Sequence, residues 1–143
     1  MTALDLNRAT QIKALIESSS IRSVILYAQG AYPGECCGFV LESGAVFPAR
    51  NVIESLYDNS LTTKNAFLID DESWKIASNG ASPIICIYHS HTNGDSNMSE
   101  ADRLTLRWSG LFYMIIGLID RNPISAKIFW WESDDLKELV IQL

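Results

Sequence analysis

Apolar residues recur every three to four positions along the first thirty residues of the chain and predict two helices. The first periodic segment covers about residues 4–18 and the second about residues 20–31. Three consecutive serines at 18–20 separate the segments and can cap the second one. Pro33 follows directly and ends the helical pattern.

Short apolar runs alternate with polar turns beyond this point and predict a sheet. The run at 84–88, IICIY, is continuously apolar, as is typical of a central strand buried on both faces. The final segment, 134–143, fits either a helix or a strand. The other predicted strands lie at 36–43, 45–53, 66–69, 112–119 and 125–131.

Two more helices are predicted between these strands. Asp70 and Asp71 suit the N-terminus of one of them. The other runs from Ser99 to about Ser109, with Leu104 and Trp108 on one face. Strands and helices thus interleave, with hairpins among the strands, which indicates a mixed α/β sheet sandwiched by helices.

The bulk composition narrows the classes of partner. The 143 residues and 48% hydrophobic content favour one domain, 1–143, in which 1–19 is an N-terminal helical extension. A net charge of −6 without any Lys/Arg cluster argues against nucleic acid and anionic membrane as partners. No run approaches the roughly 18 apolar residues of a membrane span, and no secretory signal is visible. We therefore expect a cytoplasmic protein.

The stretch YHSHTNGDSNMSEAD contains both histidines of the chain. His89 and His91 are two residues apart at the end of a predicted strand, so both imidazoles point to one face and can bind one metal ion. Catalytic zinc typically has three protein ligands and one water. The third ligand is expected among Asp95, Glu100 and Asp102, and the fixed position of Asp102 one turn into a helix favours it.

Activation of water on a metal also requires a group that carries protons. Because both histidines are assigned to the metal, a carboxylate is expected in this role. Glu35, in the segment PGECCG, lies at the mouth of an apolar strand, where partial desolvation suits a general base.

The order of these residues resembles the signature of the JAMM or MPN+ metalloprotease family. That signature is a Glu, then His-Ser/Thr-His, seven residues, Ser, two residues and Asp, and every position is matched here. The resemblance extends over about residues 21–131. Taken alone, Ser99-x-x-Asp102 also fits a helix N-cap with an acidic third position. Thr92 departs from the proline that many prokaryotic members have after the second histidine.

The resemblance implies a role for each residue of the signature. His89, His91 and Asp102 would bind Zn²⁺, Glu35 would be the general acid/base, and Ser99 would help to hold the oxyanion. The implied fold is the cytidine-deaminase-like α/β/α sandwich around a mixed sheet.

The function that the resemblance implies is zinc-dependent hydrolysis of an amide bond at the C-terminus of a ubiquitin-like or sulfur-carrier-type protein. FPARN at 47–51 and NAFLIDDESW at 65–74 also resemble the small prokaryotic and phage branch, so a phage-tail or cell-wall peptidase is an alternative. A non-catalytic scaffold is less favoured because all the ligands are present. A zinc nucleoside deaminase would share the implied fold, but its PCxxC pair is missing.

Overall fold

The computed structural model describes residues 3–17, 19–55 and 61–143, without the side chains of 3–7, 17, 101, 104, 105 and 108. Leu104 and Trp108, the predicted apolar face of a helix, therefore lie outside the described side chains. The helices are α1 (Ala3–Glu17), α2 (Ser20–Ala31), α3 (Asp71–Ser78) and α4 (Glu100–Ser109). The strands are β1 (Cys37–Leu41), β2 (Val46–Ala49), β3 (Ile84–His91), β4 (Phe112–Ile119), β5 (Asn122–Glu132) and β6 (Asp135–Val140).

The six strands form one mixed sheet in the order β2-β1-β3-β4-β5-β6. β3 and β4 pair in parallel, and every other neighbouring pair is antiparallel. The apolar run of β3 lies inside the sheet between β1 and β4, as its continuous hydrophobicity predicts. Its carboxyl end, which carries His91, lies beside the middle of β4 at Gly117.

Helices cover both faces of the sheet. On one face Leu15 of α1 and Val24 of α2 pack in a core with Tyr88 and Met114. On the other face Leu106 of α4 packs in a second core that includes Ile87 of β3. Alternate residues of β3 thus enter opposite cores, which is what a strand buried on both faces requires. The mixed α/β class, with helices flanking the sheet, is confirmed.

Several local predictions need correction. Residues 66–69 do not form a strand, since Ile69 makes only an isolated bridge to Asn51. Ser19 occupies the N-cap position of α2 without a side-chain capping bond, so the predicted serine cap is wrong for this residue. The ambiguous C-terminal segment forms strand β6 against β5. The three cysteines, Cys36, Cys37 and Cys86, are free and buried.

None of the described helices is long and apolar enough to span a membrane.

Candidate metal centre

His89 and His91 are the last residues of β3 on the face of the sheet that α3 and α4 cover. Their ring centroids are 4.9 Å apart, with the rings nearly edge to face. His89 is 1% exposed and His91 is 15% exposed. The spacing of two residues on an extended strand has therefore brought both imidazoles to one point, as predicted.

Asp102 reaches the histidines because of how α4 begins. Ser99 is the N-cap, and its hydroxyl accepts a hydrogen bond from the Asp102 N–H at 3.1 Å. In return, Oδ2 of Asp102 accepts the Ser99 N–H at 3.0 Å, which completes a capping box. The same Oδ2 lies 3.4 Å from Nε2 of His89 and 3.7 Å from Nε2 of His91. The capping box thus fixes the carboxylate that faces both rings.

Glu35 lies just before β1 and is 7% exposed. Cys37 pairs with His89 across the two strands, so Glu35, two residues earlier, extends along the same face toward His91. Its Oε1 is 3.6 Å from Nδ1 of His89. Two carboxylates therefore flank the His89 ring, one near each nitrogen.

The main chain of Glu35 is held by neighbouring loops. Its N–H donates to the carbonyl of Thr63. Its carbonyl accepts the side-chain amide of Asn51 at 3.0 Å. The same amide nitrogen donates to Ala66 at 2.9 Å, and its oxygen accepts the N–H of Leu68 at 3.0 Å. Asn51 thus joins the segment that carries Glu35 to the segment 66–68.

Two aromatic rings enclose His89. Phe67 stacks on the imidazole with centroids 4.3 Å apart, and Tyr113 of β4 contacts it edge to face at 5.5 Å.

Neither Phe67 nor Asn51 was predicted as part of the site. Both act through contacts that are distant in the sequence. They lie in the family-like segments 47–51 and 65–74, which were the available signal, but those segments alone did not indicate a contact with the site.

The tautomer of His91 follows from its surroundings. Nδ1 of His91 lies 2.8 Å from the main-chain carbonyl of Asp95, which can only accept a hydrogen bond. Nδ1 therefore donates to this carbonyl, and Nε2 is the ring nitrogen that faces Asp102. This arrangement, with one ring nitrogen bonded to a carbonyl and the other available, is usual for histidines that bind metals.

The charges in the cluster favour ionised forms. Burial by itself lowers the pKa of His89, but Asp102 and Glu35 override this and raise it to about 9. Burial by itself raises the pKa of Asp102, but the two imidazoles outweigh this and hold the pKa well below its usual range. Asp102 is therefore a carboxylate at neutral pH.

The residues present fit a metal ion. Both ring nitrogens of His89 are buried without a well-formed hydrogen bond, and the nearest carboxylate oxygens lie at 3.4 and 3.6 Å, longer than the usual range. Buried polar atoms without partners are rare and call for an explanation. Ligand atoms of Glu35, His89 and His91 lie within 4.8 Å of one another, and Oδ2 of Asp102 faces both rings. Imidazole nitrogen and carboxylate oxygen are the donors of catalytic zinc sites.

The family model for prokaryotic homologs of the JAB domain matches residues 17–132. The chain belongs to this family. The match begins at the end of α1 and includes all five residues of the predicted signature. The predicted family resemblance is therefore confirmed.

Comparison with solved structures finds proteins similar to this JAB domain. One is the solution structure of a protein from Desulfitobacterium hafniense, 21% identical, with a TM-score of 0.61 over 85% of this chain and 86% of that one. A protein from Salinibacter ruber is 20% identical, with a TM-score of 0.51 over 81% and 82% of the two chains. A JAB1/MPN domain protein from Archaeoglobus fulgidus is 14% identical, with a TM-score of 0.44 over 77% and 82%. No curated protein matches the chain.

The residues of the candidate metal centre line a cleft of about 410 Å³. Residues 65–69 and Trp74 of α3 line the same cleft. Ser99 also lines it, so the predicted oxyanion residue borders the same space as Glu35 and the histidines. Its hydroxyl is engaged in the cap of α4, a contact that the Ser-x-x-Asp spacing predicts.

Proposed function

We propose that this JAB domain is a zinc-dependent peptidase or isopeptidase. It hydrolyses an amide bond at the C-terminus of a ubiquitin-like or sulfur-carrier-type protein. One observation supports the proposal. The imidazoles of His89 and His91 and the carboxylates of Glu35 and Asp102 lie together at the carboxyl end of β3 and line an open cleft.

His89, His91 and Asp102 would hold the ion, and Glu35 would remain outside its ligands. The tautomer of His91 supports this division, because its available nitrogen faces Asp102. Zinc bound there supplies a Lewis acid that polarises a carbonyl group and lowers the pKa of a water molecule.

Glu35 moves the protons of the reaction. Its carboxylate takes a proton from the attacking water and then delivers it to the departing amine. The clamp formed by Asn51 keeps the Glu35 main chain fixed, so little reorganisation is needed during the transfer. The Ser99 hydroxyl, which borders the cleft, steadies the developing oxyanion.

Both the finer fold assignment and the substrate follow from the signature. The family resemblance supports a cytidine-deaminase-like α/β/α sandwich, and the helices on both sheet faces are compatible with it. The same resemblance supports the ubiquitin-like or sulfur-carrier-type partner.

The test compares zinc content and hydrolysis for the native chain, Glu35→Gln and Glu42→Gln. Glu42 is an exposed residue of the turn after β1 and is the matched control. We expect about one zinc per native chain, and cleavage of a ubiquitin-like protein fused through its C-terminus to a reporter. Glu35→Gln should retain zinc and lose roughly 10²- to 10⁴-fold in kcat, whereas Glu42→Gln should match the native chain.

Other outcomes would redirect the proposal. Loss of zinc in Glu35→Gln would make Glu35 a ligand and remove it as the proton carrier. Hydrolysis of cell-wall peptides without cleavage of any fusion would favour the cell-wall alternative. Zinc binding without hydrolysis of any amide would favour a non-catalytic scaffold.

A further inference from the structure

The cleft beside the proposed metal cluster has mostly apolar walls. Apart from the cluster residues, Asn65, Ser99 and the phenol of Tyr113, the described residues that line it are apolar, and none is Lys or Arg. These described residues therefore provide no cationic side chain for a charge-assisted bond to a substrate carboxylate or phosphate. The apolar lining of the cleft includes Leu61, Phe67, Leu68, Ile69, Trp74 and Ile87.

The walls begin at the cluster itself. Phe67 stacks on His89 at 4.3 Å, so one ring belongs to both the metal centre and the cleft. From there the cleft extends to Trp74, whose own ring packs on Phe39 at 4.7 Å. A substrate side chain that contacts Phe67 would therefore belong to a residue next to the scissile amide bond. It would not belong to a residue several positions away.

The size of the cleft suits a large side chain. About 410 Å³ lies within the range of roughly 300–1,000 Å³ that is typical of small-molecule sites. A glycine at this point would leave the apolar walls in contact with water, whereas a leucine or phenylalanine would cover them.

We propose that this cleft is a side-chain subsite for a bulky apolar residue that directly flanks the scissile amide of the substrate. The inference rests on the proposed function and deepens it, since it names the class of peptide that the site accepts. Leucine, methionine and phenylalanine are favoured at one of the two flanking positions, and glycine and aspartate are disfavoured there.

The test uses two panels of internally quenched peptides with the zinc-loaded native chain. One panel varies the residue before the scissile bond and the other varies the residue after it, through Gly, Ala, Leu, Phe and Asp. For one panel we expect kcat/KM to be about 10- to 100-fold higher for Leu or Phe than for Gly. Equal rates for Gly and Leu in both panels would overturn the subsite.

A pair of variants tests the cleft wall directly. Leu68 lines the cleft and is 39% exposed, so Leu68→Gln leaves both buried cores intact. The matched control is Ile76→Gln, because Ile76 is 54% exposed on α3 and does not line the cleft. Leu68→Gln should reduce the preference for Leu over Gly at least about threefold. The control should retain the preference, and an equal loss in both variants would contradict the assignment.

A binding measurement separates this inference from the proposed function. N-acetyl-leucinamide and N-acetyl-glycinamide are titrated into Glu35→Gln while the amide signals of residues 67–69 and the Trp74 indole signal are followed by NMR. We expect saturable shifts with the leucine compound alone. Such shifts without hydrolysis of any peptide would retain the subsite and reject the peptidase. Hydrolysis without shifts or preference would do the reverse.

Discussion

The side-chain amide of Asn51 donates to the main-chain carbonyl of Glu35 at 3.0 Å. With its bonds to Ala66, Leu68 and Ile53, this one side chain makes four hydrogen bonds to the main chain. Asn51 thus fixes the proposed proton carrier relative to the loop that bears Phe67. It is a positioning residue, since no distance places it against the metal cluster.

Replacement of Asn51 should affect catalysis more than metal binding. Asn51→Ala removes four hydrogen bonds of roughly 0.5–1.5 kcal/mol each, so we expect the free energy of unfolding to fall by about 2–6 kcal/mol. Zinc content should persist while kcat falls at least tenfold.

Asn51→Asp keeps the two accepted bonds and loses the two donated ones, so it should share the loss in kcat. Asn79→Ala, at the exposed end of α3, is the control. Full activity in Asn51→Asp would show that the clamp on Glu35 is dispensable.

The identity of the third ligand is tested by two aspartates. Asp102→Asn removes the charge that faces both Nε2 atoms, so the affinity for zinc should fall more than about 100-fold. Asp95→Asn leaves its main-chain carbonyl on His91 and should change the affinity by less than about threefold. Competition with a chromophoric chelator measures both. The opposite ranking would transfer the ligand role to Asp95.

Zinc binding should release a proton near pH 7. The pKa of His89 is raised to about 9 in the metal-free chain, so its ring is protonated there, whereas a zinc ligand must be neutral. The affinity for zinc should therefore increase as the pH rises toward 9. Asp102, whose pKa is lowered, is already ionised and releases nothing. Calorimetry in buffers of different ionisation enthalpy counts the protons, and a count of zero would contradict the raised pKa.

The same shift predicts how the metal-free chain responds to pH. The folded pKa of His89 lies above its unfolded value of about 6.5, so protonation stabilises the fold. That contribution is complete below about 6.5 and is lost as the pH rises through 9. Urea unfolding at a series of pH values in the presence of a chelator should show this decline. A metal-free chain whose stability rises over the interval would be inconsistent with it.

A substitution at Gly117 tests the role of the loop between His91 and Asp102, two of the proposed metal ligands. A Cβ atom there would lie 2.5 Å from the carbonyl oxygen of Gly94 and 2.6 Å from Oγ of Ser125. Gly117→Ala should therefore displace the loop that follows His91, destabilise the fold by about 1–3 kcal/mol and weaken zinc binding roughly tenfold. Gly30→Ala is the control, because no atom lies within 4 Å of its Cβ position in α2. Thermal unfolding and zinc titration of both variants provide the comparison, and equal behaviour would show that the close approach is unimportant.

Ser99 combines a structural contact with a proposed catalytic one. Ser99→Ala removes the cap of α4 and should cost about 1 kcal/mol of stability. Ser99→Asp restores a good cap without a hydrogen-bond donor. If the hydroxyl steadies the oxyanion, Ser99→Asp should regain stability while kcat stays roughly 10²-fold low. Recovery of kcat together with stability would reduce Ser99 to a capping residue.

Local spacing made the polar core of the site predictable. The histidines are two residues apart, so they share one face of a strand. Ser99 and Asp102 are three residues apart, as in a capping box at the first turn of a helix. Neither relationship depends on the rest of the fold. The assignment of Glu35 rested mainly on the family signature, because its approach to His89 depends on how β1 pairs with β3.

The strand predicted at 66–69 failed because a side chain replaces the partner strand. Residues 66–69 have a strand-like sequence, but the Asn51 side chain, and not a neighbouring strand, bonds Ala66 and Leu68. Nothing in the local pattern reveals such a substitution. The stacking of Phe67 on His89 depends on the same loop and was missed for the same reason.

Ser90, between the two histidines, has its own attachment to the neighbouring strand. Its hydroxyl accepts the N–H of Cys36 at 2.8 Å, and its own N–H donates to the Cys36 carbonyl at 3.2 Å. Cys36 follows Glu35 directly, so these two hydrogen bonds attach the segment that carries the proposed acid/base to Ser90, the residue between the two histidines. Sliding of β3 against β1 would have to break both bonds, so they fix the register between Glu35 on one side and the two histidines on the other.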